Sequence, residues 1–148
     1  METNQLMTMF IDTYSKTLKD LNLVLQSSMA TYQVSFEQYQ ILRDIANERV
    51  TNLTDIVRLR GVTKPAIARQ LRTLRDLDYV TQKTATHDRR QHVLNLTAAG
   101  RQVEHDITDD VNQLFDQFVA AVGIDKVTEL RDLLDLVDTN YLTKIKRD

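Results

Sequence analysis

Three long apolar stripes at helical spacing constrain the fold of this chain more than any other feature. The first runs through Leu6, Phe10, Tyr14, Leu18, Leu21, Leu25, Met29 and Tyr32 in steps of three or four, the pattern of one long amphipathic helix. The second, Val103, Ile107, Val111, Leu114, Phe118 and Val122, stops at Gly123. The third holds Val127, Leu130, Leu134, Val137, Tyr141 and Ile145 behind Asp125, a candidate cap. Three Gly and one Pro leave few positions suited to tight turns, and 42% hydrophobic residues suffice for a core, so the chain is expected to be mainly α. At 148 residues it has the length of one ordinary domain, with limited core for three such stripes. Burial of part of them against a second copy is therefore expected, with an intramolecular bundle as the alternative.

Between the stripes the elements are shorter. Val34-Ser-Phe-Glu-Gln38 reads as a helix start, with Ser35 and Gln38 as a capping box and Val34 stapled onto Tyr39. Tyr39, Leu42, Ile45 and Ala46 then face inward. A short helix over Thr51 to Arg60 ends at Gly61. Thr63 is a plausible cap for a fourth helix, Pro65 is tolerated in its first turn, and Ile67, Leu71 and Leu74 form its inner face. Tyr79 to Lys83 and His92 to Leu96 have strand character and flank the polar run 84–91, which reads as a hairpin with a charged tip. Thr97 can cap the fifth helix.

Charge separates these regions. The whole chain carries a formal net charge of -2, which excludes a wholly basic nucleic-acid coat. Residues 34–96, however, are net +4, and Ile56 to Arg75 contains Arg58, Arg60, Lys64, Arg69, Arg72 and Arg75 with no acid. Such a stripe is an electrostatic footprint for a polyanion, because the field near a surface depends on nearby charges more than on the total. Cysteine is absent, excluding disulfides and thiolate chemistry. No apolar run approaches the roughly 18 residues of a membrane span, and the N-terminus lacks the basic start of a signal peptide. No membrane partner and a cytoplasmic location are the expectation.

Two short helices joined by a Gly-containing turn, followed by a hairpin with basic residues at its tip, have the layout of a winged helix-turn-helix. A helix fits the major groove of double-stranded DNA, and a thin charged hairpin reaches the adjacent minor groove. Arg69 can address a guanine edge, Gln70 an adenine, and Thr63 with the first free amides a phosphate. Arg89 or Arg90 suits a narrow minor groove.

The run Gly61-Val-Thr-Lys-Pro-Ala-Ile-Ala-Arg-Gln-Leu-Arg-Thr-Leu74 and the run Asp88-Arg-Arg-Gln-His-Val-Leu-Asn-Leu-Thr-Ala-Ala-Gly100 resemble the MarR family of bacterial transcription regulators, and within it the SlyA-like branch. The second run carries the more specific match. The resemblance implies a homodimer, with residues 1–33 and 98–148 as dimerisation helices and 34–97 as the DNA-binding region of one MarR-like domain. It also implies a repressor of a pseudo-palindromic operator, relieved by a small phenolic or other anionic effector. The implied DNA-binding residues are Thr63, Lys64, Pro65, Ala66, Arg69, Gln70, Arg72, Asp88, Arg89 and Arg90, with Asp88 bracing an arginine of the wing. Alternative readings are a winged-helix protein-interaction module and a constitutive DNA binder without effector control.

Two departures from the family pattern stand out. Asp78 occupies the place where the family usually has Gly after the recognition helix, and the missing cysteine excludes the peroxide-sensing thiol of some relatives. No cofactor and no metal are implied. His105 and Asp109 share a helix face but lack a third neutral ligand, and His87 and His92 have no nucleophile or carboxylate dyad beside them, so no enzyme is expected. Met7, Met9, Phe10, Tyr14, Tyr32, Phe36 and Tyr39 read as core or dimer contacts before they read as a ligand cavity.

Overall fold

The structure, a computed structural model, describes residues 2–84 and 92–146. Helices α1 (Thr3–Ser27), α2 (Phe36–Ala46), α3 (Leu53–Arg60) and α4 (Lys64–Asp76) precede strands β1 (Val80–Thr84) and β2 (His92–Leu96); α5 (Ala98–Val122), α6 (Ile124–Val137) and a last turn, α7 (Thr143–Ile145), follow. The chain divides into two compact units, Met1–Asp109 and Asp110–Asp148.

Within the first unit the core is built from α2, α3, α4, the hairpin and the start of α5. Leu42, Ile56, Leu74 and Ile107 are fully buried, each withdrawing enough apolar surface to stabilise by about 2 kcal/mol. The capping box at α2 forms as its sequence predicts: Ser35 Oγ accepts from the Gln38 amide at 3.1 Å and Gln38 Oε1 accepts from the Ser35 amide at 3.0 Å. Val34 and Tyr39 are both buried at this entry. Gly61 ends α3 in the left-handed conformation, φ 63°, which costs a residue without a Cβ little. Strands β1 and β2 pair antiparallel with Val80 opposite Leu96 and Thr84 opposite His92. The Leu94 amide donates to the Thr51 carbonyl at 2.9 Å, so the segment before α3 lies along β2.

Several expected boundaries move. The first stripe is not one helix to Tyr32: α1 ends at Ser27, a 3-10 turn covers Ala30–Tyr32, and Gln33 turns left-handed at φ 60°. The break carries Met29, fully buried, into the core while α1 itself buries none of its residues. Thr63 stands at the N-cap position of α4, but its side chain makes no capping bond. The first strand starts at Val80 and not at Tyr79, whose amide instead closes the end of α4 onto the Leu74 carbonyl at 2.9 Å. Asp125 is not a cap either; Gly123 holds that place and Asp125 lies in the first turn of α6, where a negative charge favours the helix dipole. The third stripe is interrupted after Val137 by a π-helical turn, Asp138–Leu142.

Candidate nucleic-acid interface

Helix α4 is amphipathic in a way that settles which side it shows to solvent. At 3.6 residues per turn, Ile67, Leu71 and Leu74 fall within an arc of about 60°, and all three are buried. Pro65, Arg69 and Arg72 share an equally narrow arc on the opposite side, and all three are exposed. Lys64 and Thr63 are exposed at the helix start. Among the described residues no acid lies within ion-pair distance of Lys64, Arg58, Arg69 or Arg72, so these cations are available to an anion.

The other residues singled out from sequence fall differently. Ala66 is half-buried, as is Gln70, whose Oε1 accepts from Gln38 Nε2 at 2.8 Å. The Gln38 amide is oriented by the backbone: its oxygen takes the Ser35 N–H, which leaves its NH2 group for Gln70. The Gln38 bond uses one lone pair of Gln70 Oε1 and orients the Gln70 amide, leaving its second lone pair and its NH2 group for a further partner. Arg75 donates to Gln82 Oε1, linking the end of α4 to β1. Asp88, Arg89 and Arg90, with His87, lie outside the described residues.

Beside the start of α4 is a polar cleft of about 370 Å3 lined by Asn52, Leu53, Thr54, Asp55, Arg58, Lys64, Gln82 and His92. Asp55 is fixed at its edge. Its Oδ2 accepts from the Thr51 amide at 2.9 Å and the Thr51 hydroxyl at 3.0 Å, while its own amide donates to Asn52 Oδ1 at 2.9 Å. The Thr51 amide and hydroxyl, with a smaller contribution from Arg58, hold the Asp55 carboxyl below the ordinary carboxylate value.

Sequence reasoning missed a buried ion cluster behind this surface. Asp44 on α2 is 0% exposed. It takes Arg60 Nε at 2.7 Å and Arg60 Nη2 at 2.6 Å, with Arg49 Nη1 at 3.1 Å. Arg60 thus leaves the basic stripe to which its place in the sequence assigned it. The available signal was Asp44 itself, an acid among Ile41, Leu42 and Ile45 on the inner arc of α2. Away from the interface, His105 Nε2 and Asp109 Oδ2 form an exposed pair 3.5 Å apart. Met7, Met9, Phe10 and Tyr14 are exposed on α1, whereas Tyr39 is buried with its hydroxyl 2.8 Å from Thr108 Oγ1.

A helix pair with an exposed cationic second helix, followed by a two-stranded hairpin, defines a winged helix-turn-helix protein. Residues 32–91 match the MarR family model, so the chain is similar to that family of transcription regulators over this stretch. An uncharacterized HTH-type transcriptional regulator of Staphylococcus aureus strain N315 is 28% identical over 141 residues, 94% of each chain. Staphylococcus aureus MarR in complex with salicylate and kanamycin superposes with a TM-score of 0.77 at 25% identity, covering 94% of both chains. The repressor CouR bound to a 23-mer DNA duplex has the same fold, with a TM-score of 0.80, 20% identity and coverage of 93% of this chain and 97% of that one. The SlyA-like branch rests on the sequence resemblance alone.

Proposed function

We propose that this chain is a homodimeric, sequence-specific DNA-binding regulator that represses from a pseudo-palindromic operator in the cytoplasm. Residues 34–97 read the DNA, and residues 1–33 and 98–148 hold the dimer. The observation that carries this reading is the exposed face of α4, where Arg69 and Arg72 have no acid within ion-pair distance among the described residues and Lys64 stands at the helix start. Lys64 and Arg72 contact phosphates, Thr63 and the first amides of α4 hold one more, and Arg69 addresses a base edge with Pro65 and Ala66 beside it. In the wing, Arg89 or Arg90 serves the minor groove, and Asp88 braces an arginine beside it. Relief by a small phenolic or anionic effector is part of the proposal, supported by the salicylate complex of the Staphylococcus aureus relative.

Selection of bound sequences from a random duplex pool, repeated with Arg69→Ala, tests it. The expected result is an inverted repeat with half-sites about one helical turn apart. Arg69→Ala should cost about 1–3 kcal/mol in affinity and relax the preference at one position of each half-site. Absence of any motif from folded protein at moderate salt would refute the reading, and an unchanged preference in Arg69→Ala would refute the residue assignment.

A further inference from the structure

We infer that Arg60 is a positioning residue of the DNA-reading unit that acts through the buried Asp44 and does not contact phosphate. The inference rests on the function proposed above. A carboxylate with no exposed surface is tolerated only when its charge is paired and its lone pairs are used. Asp44 meets both conditions through the two parallel bonds from Arg60, at 2.7 and 2.6 Å, and the third from Arg49 at 3.1 Å. Only a guanidinium supplies that fork.

The placement of the fork gives it a function in recognition. Helix α3 has eight residues and buries only Ile56, so apolar packing grips it weakly. Arg60 is its last residue and ties that end to α2. Four residues later α4 begins, with Lys64 and Pro65 in its exposed first turn. Fixing the end of α3 therefore fixes where the recognition helix starts. The same bonds pair the charge of Arg60 with Asp44, whereas Arg58, Lys64, Arg69 and Arg72 have no ion-pair partner among the described residues.

The duplex recovered from the random pool with the unaltered chain serves as probe, beside a scrambled duplex of equal length. Arg60→Lys keeps the charge and loses the fork; Arg60→Met loses both. A positioning role predicts that both variants lose about tenfold or more in affinity for the selected duplex. Affinity for the scrambled duplex and the dependence on salt should stay as in the unaltered chain, whereas Arg72→Ala should lower the salt slope by roughly 0.9. The double variant Asp44→Leu with Arg60→Leu replaces the pair by apolar groups. It should fold, as judged by its melting temperature, and recover the selected duplex to within about threefold.

Arg60→Lys binding like the unaltered chain while Arg60→Met loses about 0.9 of salt slope would overturn the inference in favour of a phosphate contact. A folded double leucine variant that recognises the selected duplex no better than the scrambled one would overturn it as well. Failure of the unaltered chain to select any duplex is a separate outcome, which removes the regulator reading and this inference with it.

Discussion

Asp78 holds φ at 61°, a left-handed conformation that costs an L-residue with a Cβ about 1–2 kcal/mol, less for Asp than for bulkier residues. The chain reverses there between α4 and β1, and the Asp78 carbonyl accepts from the Thr97 hydroxyl at 2.6 Å. Asp78→Gly removes the strain and adds unfolded-state freedom, which offsets part of the gain. A net stabilisation of about 0.5 kcal/mol is expected, read as a higher urea midpoint with unchanged slope. A lower midpoint would show that the Asp78 side chain contributes more than its backbone costs. Gly100 has the opposite constraint: a Cβ built there would lie 2.0 Å from the Tyr79 carbonyl oxygen, which the Thr97 amide also uses at 3.1 Å. Gly100→Ala should destabilise by about 3 kcal/mol through displacement of backbone, measurable in the same titration. The spacing Leu-Thr-Ala-Ala-Gly was legible in the sequence as a pattern; its cause, a helix start pressed against the Tyr79 backbone just before β1, was not. Asp44 shows the same limit, since a sequence presents Arg60 among other arginines without the partner sixteen residues earlier.

At the scale of elements, helical periodicity and capping residues carried most of the assignment. The Ser35 and Gln38 box, Thr97 as cap of α5 and Gly61 as the end of α3 are all present, because each is a local interaction that neighbouring residues complete. The division at Ser27 was not legible, because Met29 and Tyr32 continue the stripe and it is the core that draws Met29 away from α1. The start of α3 offers a test by pH. Asp55 has a folded pKa below its ordinary value of 3.8 because the Thr51 amide and hydroxyl favour the carboxylate. A depressed acid contributes stability in full above its unfolded pKa and loses it as pH falls through the folded one. Asp55→Asn should therefore be less stable than the parent at pH 7, with the difference shrinking below pH of about 4. A difference that stays constant down to about pH 2 would contradict this account.

On the scale of the whole molecule, the two terminal stripes that periodicity predicts to be buried remain open in the single chain. On α1, Phe10 is 65% and Tyr14 is 55% exposed; on α6, Leu134 is 64% and Leu130 is 46% exposed. Apolar side chains repeated at this density along helix faces are what a second copy would cover in the proposed homodimer. Because Phe10 and Leu134 are already exposed within the chain, Phe10→Asp and Leu134→Asp remove little intramolecular packing, so their effects report on association. The unaltered chain should sediment as a dimer and melt at a temperature that rises with its concentration. The double aspartate variant should sediment as a monomer with a concentration-independent melting temperature. Its affinity for one half-site should be preserved while that for the full inverted repeat falls by about a hundredfold, the advantage lost when two linked readers become one. A variant that remains dimeric would place the interface elsewhere on the chain, and an unaltered chain that is monomeric at micromolar concentration would leave the inverted repeat without a two-fold reader to match it.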